Sequence, residues 1–382
     1  MSASNGIPRV ASSRIPSLDG LRAVSIGLVI LAHSVEFLPP HLAGRGLAAY
    51  GSIGVSIFFV ISGFLITSIL LDEKSSHNRI DIRNFYIRRI VRIMPAYYCF
   101  LAIMILLSAC GLFVLTSRDI IASLLFVRDY KTGAQSYLLG HTWSLSVEEQ
   151  FYLFWPVTVW LFGRTALLRL CIAVIVICPV LRVLTYVAIP DLRDAIDTMF
   201  HTRADTLIFG CVLALLWRSE RTVALPGWLL KAPTAAAACV FLLVVSPYLR
   251  LRFGGAYIFP VGLSAEGLAI VSVICWAVAR PTTLTGRLLN SRPVVAIGVL
   301  SYSIYLWQQI FLVPDMVGLP KFYPLNLGLV IVAAATSYYA LEKPLIGLRQ
   351  RLHRRSVASR QGIAPGRDVT SPGQGARVSE AG

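Results

Sequence analysis

Charged side chains are scarce in this chain. Asp, Glu, Lys and Arg make up 14% of its 382 residues, hydrophobic residues make up 56%, and the mean hydropathy is +0.70. Soluble domains carry about 25% charged residues, so this composition excludes an ordinary soluble domain. The sequence therefore predicts an integral membrane protein.

Cysteine pairs at metal or disulfide spacing are also lacking. None of the seven cysteines belongs to a C-x-x-C pair, nearly all lie inside apolar segments, and no histidine stands close to one at ligand spacing. Cysteines in such surroundings are small packing residues. We therefore expect no disulfide, no metal site and no permanently bound cofactor.

Acidic residues are few, with 19 Asp and Glu against 35 Lys and Arg, and the formal net charge is +16. The basic residues stand between apolar segments instead of forming one patch, which is typical of cytoplasmic loops and not of a nucleic-acid-binding surface. If the apolar segments cross the membrane in turn, the connecting segments on one side carry 25 of the basic residues and those on the other side carry nine. Both termini lie on the more basic side and are predicted to be cytoplasmic, in a multi-pass protein of the cell (inner or plasma) membrane.

About ten segments are long and apolar enough to cross a bilayer, which takes roughly 20 residues each. They lie near residues 19–38, 51–71, 94–115, 145–163, 167–189, 204–217, 229–248, 255–279, 294–314 and 325–342. The predicted fold class is all-α, a polytopic membrane helix bundle over residues 17–348. Residues 1–16 are predicted to form a cytoplasmic N-terminal segment without a cleavable signal. Residues 349–382 are predicted to form a largely disordered cytoplasmic tail.

Two ionisable side chains flank the first apolar segment, LDGLRAVSIGLVILAHS. Arg22 and His33 are eleven residues apart, which places them on one helix face with a rise of about 16 Å between them. A functional pair facing a cavity is one interpretation, because ionisable groups inside a membrane are costly. In the other, Arg22 is a snorkelling anchor and His33 a hydrogen-bonded packing residue. A neutral histidine near the middle of the membrane also suits a general base.

The segment FYIRRIVRIMPAYY concentrates three arginines just before the third apolar segment. Arg88 and Arg92 are four residues apart and share a helix face, and Arg89 flanks them. Such a cluster can bind phosphate groups. Basic segments also fix membrane topology and contact anionic lipids, so both interpretations stay open from the residues alone.

Acidic residues begin the fourth apolar segment, HTWSLSVEEQFYLFWP. A helix dipole favours acidic groups in the first turn, which explains one of Glu148 and Glu149 more easily than both. A carboxylate here could orient the histidine or bind a sugar hydroxyl, with Trp143 as a stacking surface.

Two later segments, HTRADTLIFG and SYSIYLWQQ, add polar groups to apolar spans. Arg203 and Asp205 are predicted at the outer mouth of the sixth span, and Tyr302 and Gln308 are predicted to line the ninth. Aromatic residues at membrane edges often form interface belts. Buried hydroxyls and amides together suit a polar acceptor.

These segments resemble, in their order along the chain, those of acyltransferase family 3. Its members are polytopic membrane O-acyltransferases that modify O-antigen, exopolysaccharide, Nod factors and some macrolides. The resemblance covers residues 15–348 and rests on LDGLRAVSIGLVILAHS, GSIGVSIFFVISGFLIT, FYIRRIVRIMPAYY, HTWSLSVEEQFYLFWP, TRADTLIFG and SYSIYLWQ. It implies a ten-helix core, an acyl-CoA donor (acetyl-CoA) reached from the cytoplasm, and a carbohydrate or glycolipid acceptor at the outer face.

The resemblance also implies roles for particular residues. It gives His33 the role of the catalytic histidine and Arg22 that of its partner. It places Arg88, Arg89 and Arg92 in the basic motif that serves the donor, and Glu148 and Glu149 in the acidic motif. The competing class is a membrane carrier or flippase for a lipid-linked saccharide, which would use the same intramembrane polar groups without acyl transfer.

Overall fold

A computed structural model describes residues 15–35, 46–77, 79–130, 136–217, 225–312 and 324–360. Within these ranges the chain is helical and has no strand, so the all-α prediction is confirmed. In chain order the helices are α1 (Pro16–His33), α2 (Leu47–His77), α3 (Ile82–Ala109), α4 (Ser117–Leu124), α5 (Thr142–Leu161), α6 (Arg164–Ala188), α7 (Phe200–Trp217), α8 (Ala232–Val240), α9 (Ser246–Phe253), α10 (Gly255–Tyr257), α11 (Leu263–Ala279), α12 (Leu284–Leu289), α13 (Arg292–Leu312), α14 (Leu325–Ser337) and α15 (Lys343–Arg360). Single π-helical turns join α8 to α9, α10 to α11 and α14 to α15.

Eight helices within the described residues are long and apolar enough to cross a membrane, against the ten spans predicted. The two predicted spans that fall short are α1 and α5. Helix α1 carries Arg22 and His33, and α5 carries Glu148 and Glu149. These polar groups lower the mean hydropathy of two helices that pack within the bundle. The side of the membrane on which each end lies stays a prediction.

Three predicted boundaries are corrected by the structure. The helix α1 ends at His33 instead of near residue 38, so the histidine terminates the helix and does not lie midway along a longer span. The arginine segment is part of α3, which begins at Ile82 and continues through Pro95. The last helix runs to Arg360, so the predicted tail is helical over residues 349–360, and the rest of it lies outside the described residues.

The centre of the bundle is a close contact between α2 and α7. A Cβ atom added at Gly63 would lie 1.9 Å from the carbonyl oxygen of Leu207, and one added at Gly210 would lie 2.0 Å from that of Val60. Small residues at a helix contact let two backbones approach closely. The glycines of these two helices therefore hold α2 against α7 backbone to backbone.

The helix α1 lies between α2 and α13. A Cβ added at Gly298 of α13 would lie 1.9 Å from the carbonyl oxygen of Asp19, and the hydroxyl of Ser25 donates a 2.5 Å hydrogen bond to the carbonyl oxygen of Gly54 on α2. These contacts fix α1 in rotation and in height. They direct Arg22 towards the space enclosed by α2, α3, α5 and α13.

Candidate active site

A cavity of about 360 Å³, here called the arginine cavity, lies between α2, α3, α5, α13 and α15. Six residues predicted from the sequence line it: Arg22, Arg88, Arg89, Arg92, Glu148 and Tyr302. Arg349 adds a fifth guanidinium to the wall, and among the described residues Glu148 is the only acidic one in its lining. The cavity wall therefore carries a large excess of positive charge.

Glu148 lies among the arginines and hydroxyls of this cavity. Arg22 and Arg89 are within electrostatic range of its carboxylate, and the hydroxyls of Ser62 and Tyr152 border it. Those two hydroxyls are hydrogen-bonded to each other, which ties α2 to α5 beside the carboxylate. Glu149 lies near Arg89 and Glu148 but is not part of the cavity lining, so the structure separates the two adjacent acids.

Arg92 stands in the wall between the arginine cavity and a second one. The second cavity, about 310 Å³, lies between α1, α13 and the turn that joins α14 to α15, and it shares Arg22, Arg92 and Tyr302 with the first. The phenol of Tyr302 donates a 2.9 Å hydrogen bond to the carbonyl oxygen of Ile93, which anchors α13 to the arginine segment of α3. Glu342 lines the second cavity, and its carboxylate accepts a 2.5 Å hydrogen bond from Ser303.

His33 lies at the opposite end of α1 from the arginine cavity and is not in its lining. Arg22 and His33 are about 16 Å apart along a continuous helix, so Arg22 contacts the arginine group and not the imidazole. The Nδ1 atom of His33 is 2.8 Å from the carbonyl oxygen of Val29. A carbonyl oxygen only accepts hydrogen bonds, so Nδ1 carries the proton and Nε2 has the free lone pair in the neutral ring.

A second histidine lies in the electrostatic range of the first. His141 immediately precedes α5, and its Nε2 atom donates a 3.1 Å hydrogen bond to the carbonyl oxygen of Leu306 on α13. Burial, together with the proximity of His33, lowers the pKa of His141 to about 3. This imidazole therefore stays neutral at cellular pH.

Three aromatic side chains, Phe58, Phe59 and Tyr305, form the end of the arginine cavity that is nearest His141. We call them the aromatic layer. Phe58 packs edge-on against Tyr305 at 6.3 Å between ring centroids, and the phenol of Tyr305 donates a 2.8 Å hydrogen bond to the carbonyl oxygen of His141. The guanidinium of Arg22 lies 6.0 Å from the Phe58 ring on the cavity side. The layer is thus the boundary between the arginines and the histidines.

Arg203 and Trp143 lie together beyond the aromatic layer. The guanidinium carbon of Arg203 is 5.7 Å from the Trp143 ring and 5.8 Å from the Phe59 ring. Arg203 is fully buried and donates a 3.0 Å hydrogen bond to Ser56, while its Nε and Nη1 atoms have no hydrogen-bond partner among the described residues. The Trp143 ring, predicted as a sugar-stacking surface, is thus in contact with an arginine.

Gln308 is another buried polar group at this end that lacks partners. It is fully buried on α13, and neither its amide nitrogen nor its amide oxygen has a hydrogen-bond partner within the described ranges. Unpaired polar atoms in an apolar interior are destabilising. Gln308 and Arg203 therefore leave donors and an acceptor available to a polar ligand.

Asp205 is separated from Arg203, although the sequence placed the two together. Its carboxylate pairs with Arg182 of α6 and accepts a 2.7 Å hydrogen bond from Ser264, and both members of the ion pair are fully buried. Residues two apart on a helix point in different directions. Asp205 faces α6 and α11, whereas Arg203 faces α2 and α5.

Sequence reasoning did not single out Arg349, Glu342 or the role of His141. The segment YYALEKP offered a signal for Glu342, since an acidic residue there ends an apolar span. Arg349 had no comparable signal, because it lies among other basic residues of a terminal helix and only the fold brings it to the cavity.

Comparison with known proteins decides the family. A model of the acyltransferase domain, Acyl_transf_3, matches residues 15–341. The chain belongs to this acyltransferase family. The matched range contains both the arginine cavity, apart from Arg349 and its neighbours on α15, and the histidine end.

Relatives of the chain carry names that point to cell-wall modification. It is 31% identical over 363 residues to YrhL of Bacillus subtilis (strain 168), a proposed peptidoglycan O-acetyltransferase, covering 87% of this chain and 55% of that protein. It is 30% identical over 327 residues to the peptidoglycan O-acetyltransferase OatA of Listeria monocytogenes, covering 78% and 50%. It is 29% identical over 368 residues to the O-acetyltransferase OatA of Staphylococcus aureus, covering 87% and 57%. The chain spans about half the length of these relatives, and no solved structure matches it.

Proposed function

We propose that this protein is a membrane O-acyltransferase that moves an acyl group, in the first place acetyl, from acyl-CoA to a hydroxyl of a carbohydrate or glycolipid. The observation that carries the proposal is the arginine cavity, in which five guanidinium groups and one carboxylate line a space inside a member of an acyltransferase family. The names of the relatives support acetyl as the acyl group and a cell-envelope saccharide as the acceptor.

The donor fits the arginine cavity by charge. Coenzyme A carries a diphosphate and a separate sugar phosphate, and arginine is the side chain best suited to bind phosphate oxygens in pairs. Arg22, Arg89 and Arg92 would hold the diphosphate. The thioester would then extend along the apolar wall of Phe58 and Phe59 towards the histidine end.

His33 would act as the general base. Its Nε2 lone pair takes the proton of the acceptor hydroxyl as that oxygen attacks the thioester carbonyl carbon. A C–O bond forms, the C–S bond breaks, and the proton passes from Nε2 to the leaving thiolate. General-base catalysis contributes about 10²- to 10⁴-fold to the rate. His141, which stays neutral, would keep the aromatic layer in place near His33 and would not take a proton.

The acceptor would bind at the histidine end. The buried nitrogens of Arg203 and both amide atoms of Gln308 are available for hydrogen bonds. Sugar hydroxyls both donate and accept, which matches the donors and the acceptor of an amide together with the donors of a guanidinium. Glu148, Glu149 and Tyr302 lie on the donor side, where we assign them to positioning the arginines instead of binding sugar.

The test is acyl transfer by purified protein in detergent, with [¹⁴C]acetyl-CoA and a soluble glycan acceptor. We expect labelled ester in wild type and a loss of at least about 100-fold in His33→Ala. His201→Ala is the matched control, since His201 stacks on Tyr130 and does not line the arginine cavity, and this variant should keep its activity. Wild-type transfer by His33→Ala would overturn the role of His33.

The same assay separates the enzyme from the carrier or flippase. Detergent removes the two compartments that a carrier connects, so a carrier would form no labelled ester with any donor. Labelled ester that forms in detergent and disappears with His33→Ala supports the enzyme. Absence of ester in wild type, together with saccharide movement in reconstituted vesicles, would overturn the proposal in favour of the carrier.

A further inference from the structure

Two of the five arginines of the cavity, Arg88 and Arg349, lie near each other where α15 meets the start of α3. Arg88 is on α3 one turn from Asn84, and Arg349 is on α15. The guanidinium of Arg349 donates a 3.0 Å hydrogen bond from Nη2 to the side-chain oxygen of Asn84. This bond fastens α15 to the first turn of α3 and brings the two guanidiniums into electrostatic range of each other.

Neither member of this rim pair, Arg88 and Arg349, has a carboxylate in hydrogen-bond contact among the described residues. Glu73 is 3.6 Å from Nη2 of Arg88, and the buried Nη2 and Oε2 atoms of that contact both lack a hydrogen-bond partner. The partner of Arg349 is a neutral amide. Glu73 thus forms an ion pair with Arg88, and the rim pair carries two guanidiniums against this one carboxylate. The remaining positive charge favours binding of an anion.

The rim pair lies at a different level along α3 from Arg92. Arg92 follows Arg88 by one helical turn, about 6 Å further along α3. Arg92 borders both cavities with Arg22, and Arg89 lies over the ring of Tyr152 at 4.2 Å. The cavity therefore offers cationic groups at two levels, and a ligand with a single phosphate could occupy only one of them.

We propose that Arg88 and Arg349 form a subsite for a phosphate on the nucleotide sugar of the donor, distinct from the diphosphate held by Arg22, Arg89 and Arg92. The inference rests on the proposed function and makes it more specific. It means that the protein selects a thioester of a 3′-phosphorylated nucleotide, coenzyme A, over acyl donors that lack this phosphate, such as dephospho-coenzyme A and phosphopantetheine thioesters. Arg349 is then a specificity-determining residue, and Asn84 positions it.

The test compares acetyl-CoA with 3′-dephospho-acetyl-CoA as donors for purified wild type and Arg349→Gln. We expect the wild-type KM to be at least about ten-fold higher for the dephospho donor, since hydrogen bonds to a charged group are worth about ten-fold or more. Arg349→Gln should raise the KM for acetyl-CoA by a similar factor and leave that for the dephospho donor unchanged, with kcat retained for both. Asn84→Ala should do the same to a smaller extent.

Arg351→Gln is the matched control, because Arg351 is an exposed arginine two residues along α15 and does not line the cavity. It should behave as wild type with both donors. A change in thermal stability common to Arg349→Gln and Asn84→Ala, with equal effects on both donors, would show that Arg349 only fastens α15 and would overturn the subsite.

The phosphate that the rim pair binds could also belong to an anionic lipid. The donor comparison is therefore repeated with and without phosphatidylglycerol in the micelles. An Arg349→Gln effect that appears only with the lipid and is equal for both donors assigns the rim pair to a lipid headgroup and overturns the inference. If wild type transfers acetyl from neither donor, the proposed function fails. If it transfers from both with equal KM, the rim subsite alone fails.

Discussion

Arg89 of α3 lies over the ring of Tyr152 of α5, with 4.2 Å between the guanidinium carbon and the ring centroid. The hydroxyl of the same tyrosine is hydrogen-bonded to Ser62 of α2. One aromatic side chain thus sets the position of a cavity arginine and links the three helices that surround it. The relationship gives Tyr152 two separable contributions, its ring and its hydroxyl.

Replacing this tyrosine should weaken donor binding in two steps. Tyr152→Ala removes the ring, and a cation–π contact of about 0.5–2 kcal/mol corresponds to a two- to thirty-fold rise in the dissociation constant for coenzyme A. Tyr152→Phe keeps the ring and should have the smaller effect. Isothermal titration of the purified variants measures this. Equal affinity in wild type and Tyr152→Ala would show that the stacking does not position Arg89.

The close contact between α2 and α7 should not tolerate a methyl group. Gly63→Ala would place a Cβ against the Leu207 carbonyl, so we expect a clear loss of thermal stability in detergent. Gly27→Ala is the control, because a Cβ there meets nothing within 4 Å. It should be neutral or stabilising by up to about 1 kcal/mol, since alanine is the better helix former. Equal melting of the two variants would contradict this account of the contact.

Asp205 should matter for stability instead of substrate binding. Removing one partner of a buried ion pair costs about 3–5 kcal/mol, so Asp205→Asn should melt well below wild type. The exposed Asp191 is a control, and Asp191→Asn should melt as wild type does. The measurement is thermal unfolding together with the KM of the remaining folded enzyme. A raised acceptor KM with unchanged melting would instead restore the sequence-based assignment to the substrate.

The pH dependence of stability should contain a contribution from Asp129, in the segment before α5. Burial raises the pKa of this carboxyl to about 6, although it accepts hydrogen bonds from the Gln150 side chain and the Phe200 backbone. In the unfolded chain the pKa is about 3.9. Between these values the folded protein binds more protons, so this group's contribution falls as the pH rises from about 4 to about 6 and is constant above.

The variant Asp129→Asn should lose that slope. Its stability is expected to differ from wild type by an amount that changes between about pH 4 and 6 and is constant outside this window. The constant part reflects the altered hydrogen bonds, so only the slope reports the titration. Melting temperatures of both proteins across this range measure it. Parallel curves would show that Asp129 titrates as in an exposed chain.

The helices and the arginine group were predictable because they depend on local pattern. Apolar runs separated by basic loops gave the bundle, and the spacing of Arg88 and Arg92 gave their shared face. The helix periodicity also placed Arg22 and His33 correctly on one helix. It could not show that Arg22 would join the donor-side arginines, since this depends on where α3 and α13 pack.

Long-range pairing was the part that the sequence left undetermined. The sequence placed Asp205 with Arg203, and only the packing of α6 against α7 selects Arg182 as its partner. No glycine or proline stands where α1 ends, so no local pattern predicts that the helix ends at His33. The aromatic layer is likewise formed by residues of α2 and α13, which are far apart in the chain, so no local motif predicts it.

The backbone contact at Gly63 and Gly210 determines which wall of the arginine cavity can yield. Because α2 is held to α7 with no side chain between them at these points, neither helix can shift outward alone. Widening must come from the opposite wall, where Asn84 and Arg349 form the one side-chain hydrogen bond between α3 and α15 among the residues whose side chains are described. The hydrogen bond between Asn84 and Arg349 thus limits the size of the donor that the arginine cavity can accept. Removing it should allow bulkier acyl donors to bind.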